Sequence, residues 1–358
     1  MKAVVLVGGE GTRLRPLTFT TPKQMLPIAG QPMLERVLLW LRRHGVDEAI
    51  LSLGYLPDAF IGAYPGGVAA GVALSYAVEP EPLDTAGAVR FAAAHGKVED
   101  TFVVVNGDVL TDLDLSALVA FHRRRRAEGT IHVYPVADPS RFGVVPTDGA
   151  GRVEAFVEKP PRDEAPTNRI NAGTYVLEPS VLDRIPPGRR VSIERETFPA
   201  MVRDRTLYAM EDDSYWLDAG TPAAYLQANR DLVEGRRGSP PVAGAHEAAP
   251  GVWVVGSPIL AGEVRPSSLI GDGSVVEAGA TIERSVLGTG CLVVAGSRVV
   301  DSVLHDGVTV AGSSTVSESI VGARATVGER CEIGGLCVLG QDAVVASGSV
   351  LDAERVPA

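Results

Sequence analysis

The last hundred residues repeat themselves every 17 positions, and few features restrict a fold so tightly. Ile282, Val299, Val316, Ile333 and Val350 lie 17 residues apart, as do Ile259, Val276, Val293, Val310, Val327 and Val344. Ile270, Leu287, Leu304, Val321 and Val338 form a third row, with Ser268, Ser285, Ser302 and Ser319 at a fixed offset. Within each repeat the aliphatics follow at intervals of six, six and five residues. One inward aliphatic per short straight face, followed by a small-residue corner, describes a three-sided parallel β-helix of the hexapeptide type. Five coils at ~4.8 Å each would stand about 24 Å tall. A layered α/β fold is excluded because no ten-residue helical pattern intervenes, and a sandwich would need longer alternating strands. Such a solenoid has flat faces suited to self-association, so a homo-oligomer is expected.

Upstream the periodicity is different. Ala3–Val7, Ala49–Leu53, Val72–Val78 and Phe102–Val105 are near-continuous apolar runs, the pattern of strands buried on both faces. Leu34–Leu41 has apolar residues at helical spacing and Gly45 as a C-cap, and Leu115–Glu128 is a second amphipathic segment. This alternation predicts an α/β domain with a Rossmann-like, mostly parallel sheet. A chain of 358 residues exceeds what a single core sustains. The expected division is a first domain over 1–234, a Gly-, Pro-, Ala- and Ser-rich linker over 235–258, and the solenoid over 259–358.

Composition narrows the partners. Thirty-three Lys and Arg against 44 Asp and Glu leave a formal charge of −11, unsuited to nucleic acid or an anionic membrane. The basic run Arg123–Arg126 reads as the solvated end of a helix. Cys291, Cys331 and Cys337 form no CxxC pair and have no histidine at ligand spacing, which argues against a zinc site or a disulfide framework. The first apolar run stops at Gly8, too short for a signal peptide, and no run approaches a membrane span, so a cytoplasmic protein is expected.

Several blocks have the residue types that phosphate chemistry needs. After the first strand comes Gly8-Gly9-Glu10-Gly11-Thr12-Arg13, where three glycines in four residues let backbone N–H groups approach an anion. The loop lacks the Gly-Lys-Ser/Thr ending of a Walker A motif, and Leu14 stands where a dinucleotide fingerprint needs glycine. Arg13 and Lys23, the latter after Pro22, are two cations close to this loop and suited to a triphosphate. Asp108 ends the buried run Phe102–Asn106-Gly107, and Asp218 precedes a helix start at Thr221-Pro222. Carboxylates at strand ends face the crevice of an open α/β sheet, and two of them suit a hard divalent cation such as Mg²⁺. Gly143, Glu158, Lys159 and Asn171 form a third group able to hydrogen-bond hydroxyls and neutralise a phosphate.

In order, GGEGTRLRPLT, PKQMLPIAGQPM, EPLDTAGA, NGDV, FGVV, EKP, INAGTYV and WLDAGT resemble a nucleotide-sugar pyrophosphorylase. Within that family they are most similar to mannose-1-phosphate guanylyltransferases with a C-terminal left-handed β-helix. The resemblance implies in-line attack of a sugar 1-phosphate on the α-phosphorus of a nucleoside triphosphate, with pyrophosphate leaving. GTP and mannose 1-phosphate are the implied pair; dTTP, UTP or ATP with glucose 1-phosphate or an unusual sugar or cyclitol phosphate are the alternatives. It also implies that Leu6, Gly8, Gly9, Gly11, Thr12, Arg13, Lys23, Thr85, Gly87 and Asn106 bind the nucleotide. Gly143, Glu158, Lys159 and Asn171 would then hold the sugar phosphate and Asp108 and Asp218 the Mg²⁺. Arg13, Lys23, Asp108, Lys159 and Asp218 would be the catalytic set.

Two other classes compete. A regulatory nucleotide-sugar binder should lack a metal carboxylate or a cation, whereas all are present. Acyl transfer on the solenoid would use His305, the one histidine of the repeats, expected to be exposed at a corner where Gly271, Gly288 and Gly322 stand in other coils. One position departs from the family pattern: Asp84 occupies a place where glycine is more usual, which bears on base and sugar choice.

Overall fold

A computed structural model describes residues 1–238 and 240–358. Backbone packing divides the chain into two units, one of residues 1–9 and 34–216, the other of 10–33 and 217–358.

The first unit is built on a mixed sheet. Its parallel half comprises β1 (Lys2–Leu6), β2 (Glu48–Leu53), β3 (Val72–Val78) and β4 (Phe102–Asn106), in the order β3-β2-β1-β4. Ala3, Val4 and Val5 are fully buried, as a strand covered on both faces requires. Helices α1 (Met33–Arg43), α2 (Asp84–His95) and α3 (Leu115–Arg125) alternate with these strands. Gly45 follows α1 at φ +77°, the left-handed geometry expected of its cap. Asp114 caps α3 by accepting from Ala117 N at 3.0 Å, and Arg123–Arg126 are exposed at its other end. Beyond β4 the sheet turns antiparallel: β6 (Arg169–Leu177) pairs with both β4 and β5 (Gly129–Pro135), and β7 (Leu207–Glu211) joins β5 in parallel. A bulge interrupts β6 between Asn171 and Tyr175, where Gly173 has φ +76°.

The second unit contains the solenoid and helix α4 (Pro222–Val233). Three parallel sheets stack coil on coil, and their inward ladders are Ile270, Leu287, Leu304 and Val321; Val276, Val293, Val310 and Val327; and Ile282, Val299, Val316 and Ile333. The serine row forms a hydrogen-bonded ladder, with Ser302 N donating to Ser285 Oγ and Ser319 N to Ser302 Oγ, each at 3.1 Å.

The 17-residue step fails at both ends. Leu260, not Ile259, pairs with Val276, because the first coil is shorter between its faces; Ile259 is 62% exposed. At the other end the turn Gly334–Cys337 inserts one residue, with Gly335 at φ +61° and Leu336 at φ +70°. The inward positions therefore move to Leu339, Val345 and Leu351, and Val344 and Val350 point outward at 74% and 70% exposure. Part of the stretch expected to be irregular is ordered: Ala245–Ala249 and Val252–Val255 form a hairpin whose second strand pairs with Ser268–Ile270.

Candidate active site

In the first unit the site grows out of the carboxyl ends of parallel strands. Leu6 of β1 is in register with Asn106 of β4, and Gly107 N donates to Leu6 O at 3.0 Å. The Gly8-Gly9 turn and the Asn106–Asp108 turn therefore leave the sheet side by side. A Cβ on Gly8 would stand 3.3 Å from Gly54 N, so glycine lets the first turn pass close to the chain leaving β2. Glu79, one residue beyond β3, accepts from Ser52 Oγ at 3.0 Å and from Leu83 N at 3.1 Å. Asn106 lies against the bulge of β6, since a Cβ on Gly173 would come within 2.6 Å of its Nδ2.

The residues expected on the sugar side lie on neighbouring strands of the same sheet. Gly143 is paired with Glu158 across a short antiparallel ladder, and a side chain at Gly143 would strike the Phe156 ring at 2.7 Å. Lys159, at φ +49°, places Nζ 3.1 Å from Glu158 Oε1. Asn171, beside Ile170 on the strand that pairs with Val144, donates to Tyr175 Oη at 2.9 Å and accepts from Gly173 N at 3.1 Å. Trp216 lies close by, donating through Nε1 to Ala172 O at 2.9 Å and packing against Tyr134 and Phe142.

Thr85 and Gly87 sit in the first turn of α2 against residues 189–194. Thr85 Oγ1 donates to Glu194 Oε2 at 2.7 Å and accepts from Ile193 N at 2.8 Å. A Cβ on Gly87 would meet Arg189 O at 2.8 Å, so close packing alone requires glycine there. Asp84 has φ +60°, a left-handed conformation that glycine adopts freely and aspartate tolerates better than most residues. Its Oδ1 accepts from Thr85 N at 2.8 Å. The departure from glycine thus preserves the backbone that glycine would supply.

The second unit contains the remaining residues. Gly11 has φ +62°, and a Cβ there would stand 2.9 Å from Thr18 Cγ2 and 3.1 Å from Lys23 Cβ. Thr18 Oγ1 donates to Gly11 O at 2.9 Å, which folds the loop back on itself. Thr12 and Lys23 each open a 3₁₀ turn, and Lys23 is buried to 9% exposure, unlike an ordinary surface lysine. Arg13 remains largely exposed, its Nη2 3.9 Å from Asp218 Oδ2. Asp218 also accepts from Gly220 N at 2.8 Å, and a Cβ on Gly220 would meet the Arg13 guanidinium at 2.7 Å. Thr221 caps α4 by accepting from Ala224 N at 3.3 Å, with Pro222 as its first residue, as the sequence predicts.

A divalent cation is compatible with these residues. Asp108 and Asp218 are hard oxygen donors, and no group of three or more His, Cys, Asp or Glu suited to a metal occurs among the described residues. Each carboxylate is of the kind that holds Mg²⁺ together with substrate phosphates, rather than part of an all-protein zinc or calcium cage.

Sequence reasoning missed Gly54, Glu79, Trp216 and Tyr225. The first two stand just past the ends of β2 and β3, so a scan of every parallel-strand terminus would have found them. His305 is corrected: it is not solvated but 6% exposed, its Nε2 3.0 Å from Tyr225 Oη, and it cannot serve as an accessible base for acyl transfer. Among the described residues no helix is long and apolar enough to cross a membrane.

An open α/β sheet with a glycine turn, cations and strand-end carboxylates defines a phosphate-transferring enzyme. Residues 2–235 match the family described as "Nucleotidyl transferase", and the chain belongs to that family. Residues 260–351 match the "EIF2B subunit epsilon LbH domain", a left-handed β-helix. The chain is 44% identical over 288 residues to the mannose-1-phosphate guanylyltransferase of Mycobacterium tuberculosis, covering 76% of this chain and 79% of that protein. It is 44% identical over 230 residues to the mannose-1-phosphate guanyltransferase of Schizosaccharomyces pombe, covering 63% and 62%. Among solved structures, HddC from Yersinia pseudotuberculosis superposes with a TM-score of 0.57 at 30% identity, covering 64% of this chain and 99% of that one. The same protein has been crystallised with GMP-PN, superposing with a TM-score of 0.56 at 30% identity over 64% of this chain and 99% of that one.

Proposed function

We propose that this chain transfers a guanylyl group from GTP to mannose 1-phosphate, forming GDP-mannose and pyrophosphate. The observation that carries the reading is the pair of turns leaving β1 and β4 in register, a glycine turn beside a carboxylate, in a chain 44% identical to a mannose-1-phosphate guanylyltransferase. In this reading Gly8, Gly9, Gly11 and Thr12 present backbone N–H groups to the nucleotide phosphates, with Leu6, Thr85, Gly87 and Asn106 on the nucleoside side. Arg13 and Lys23 neutralise the triphosphate and the departing pyrophosphate, Arg13 as an exposed fork and Lys23 as a buried point charge. Lys159 aligns the phosphate of the sugar 1-phosphate, and Gly143, Glu158 and Asn171 hold the hexose.

Asp108 and Asp218 are assigned as the ligands of Mg²⁺, which when bound would withdraw charge from the phosphate oxygens. The reaction joins two polyanions, so alignment and charge neutralisation do the chemical work and no side-chain nucleophile is required. Self-association of copies through the flat solenoid faces is proposed as the assembly role; static light scattering tests it, and a monomer at all concentrations rejects it. The test of the activity is product identification: GTP, mannose 1-phosphate and Mg²⁺ are expected to give GDP-mannose and pyrophosphate in equal amounts, and nothing after chelation. Formation of GDP-mannose without pyrophosphate, or of neither by folded protein, rejects the reading.

A further inference from the structure

In four coils the corner before the first sheet turns is glycine: Gly271, Gly288, Gly322 and Gly340. Packing explains the choice, since a Cβ on Gly271 would lie 2.4 Å from Gly288 O and one on Gly322 2.6 Å from Gly340 C. The corner between Gly288 and Gly322 carries His305, whose imidazole the repeat itself does not need. It is buried, and it makes a directed contact: Nε2 lies 3.0 Å from the hydroxyl of Tyr225 on α4.

That hydroxyl has one proton, and it donates it to the carbonyl of Pro27. The imidazole must therefore donate from Nε2 into the phenol oxygen, which selects the Nε2–H tautomer. Two residues further on, Ala29 N donates to Asn229 Oδ1 at 2.7 Å, and Asn229 Nδ2 donates to Tyr225 O at 2.9 Å. Pro27 and Ala29 are thus held by adjacent turns of α4. Between Pro27 and Lys23 lies a single 3₁₀ turn closed by Leu26 N to Lys23 O at 3.1 Å, with Leu26 and Ile28 buried. So short and closed a segment transmits a displacement at Pro27 to Lys23.

We propose that His305 is a positioning residue for the reaction, holding Lys23 in place through the Tyr225 hydroxyl and the Pro27 carbonyl. The proposal rests on the catalytic reading of Lys23. The solenoid then does more than assemble copies, since one side chain of its third coil helps set a cation of the active site.

The chain tests this with three single variants of the relay, one double variant and one variant of its target. His305→Gly gives the corner the residue its neighbours carry, and Tyr225→Phe removes one oxygen at constant shape. Each is expected to lower kcat about ten- to a hundredfold, the cost of misplacing a catalytic group by a fraction of an ångström to an ångström. The KM for mannose 1-phosphate should stay within about twofold, because Lys23 acts on the triphosphate. His305→Gln, whose amide can donate to the phenol, should recover most of kcat, and His305→Gly with Tyr225→Phe should be no worse than the poorer single variant.

Wild-type kcat in Tyr225→Phe while Lys23→Ala collapses overturns the relay and leaves the catalytic reading intact. Wild-type kcat in Lys23→Ala overturns both. Equal losses in both KM values with a lowered melting temperature, unrescued by glutamine, would reduce His305 to a structural residue and overturn the proposal.

Discussion

The two units hold their candidate active-site residues by different means. In the first, Gly8 and Asp108 leave β1 and β4 from a register fixed by main-chain hydrogen bonds, so their positions depend little on any one side chain. In the second, Arg13 and Lys23 sit on loops held by Thr18, Tyr225 and Asn229, each through one or two side-chain hydrogen bonds, whereas Asp218 ends the short strand Trp216–Asp218. A sheet edge fixes groups cheaply and allows little adjustment. A loop held by side chains can be tuned, and can be broken one atom at a time.

The largest expected effects do not distinguish the units. Asp108→Ala in the first and Asp218→Ala in the second should each lower kcat at ordinary Mg²⁺ by about 10³-fold or more, as loss of a phosphoryl-charge clamp does. Near-wild-type turnover in either removes that residue from the metal assignment. Next comes Lys23→Ala, expected to cost about 10²–10³-fold in kcat, the scale for removing one preorganised donor.

Glycine substitutions sharpen the contrast. Gly11→Ala forces a Cβ to 2.9 Å from Thr18 Cγ2 at φ +62°, a strain of about 1–2 kcal/mol that also displaces Lys23. Gly9→Ala, where a Cβ meets nothing within 4 Å, should fold normally and lose activity only if the ligand needs that space. A lower melting temperature for Gly11→Ala and an unchanged one for Gly9→Ala is the expected thermal-shift result.

The smallest effect concerns acid. Burial lowers the pKa of His305 in the second unit and His132 in the first to about 4, against an ordinary 6.5, partly opposed by Asp306 and Asp212 respectively. Both imidazoles are neutral when folded, while the unfolded chain binds protons below about 6.5, so stability is full above that pH and is lost as pH falls toward 4. His305→Gly should flatten the melting temperature between pH 6.5 and 4.5 by a few degrees, leaving the share due to His132. An unchanged slope would mean that His305 is not buried in solution.

Both architectures were legible in the sequence because they rest on periodicity: continuous apolar strands for the sheet, the 17-residue step for the coils. The step misled only where corner lengths change, at Ile259 and beyond Gly334, because an inserted residue in a turn shifts every later side chain to the opposite face. The candidate residues were legible as local blocks. What was not legible was anything set by a long-range contact: His305 looked like a solvated corner because Tyr225 lies 80 positions away, and nothing local marks the pair. Asp84 read as a departure bearing on base and sugar choice; its φ of +60°, a conformation glycine adopts freely, is set by the fold and was not legible locally.

The most direct test of the proposed activity is kcat/KM for GTP, UTP, dTTP and ATP, each measured against mannose 1-phosphate and glucose 1-phosphate with Mg²⁺. GTP with mannose 1-phosphate is expected to exceed every other pair by about tenfold or more, the scale of a few hydrogen bonds at a base or a hydroxyl. A higher value for any other pair, or no turnover by folded protein, would contradict it.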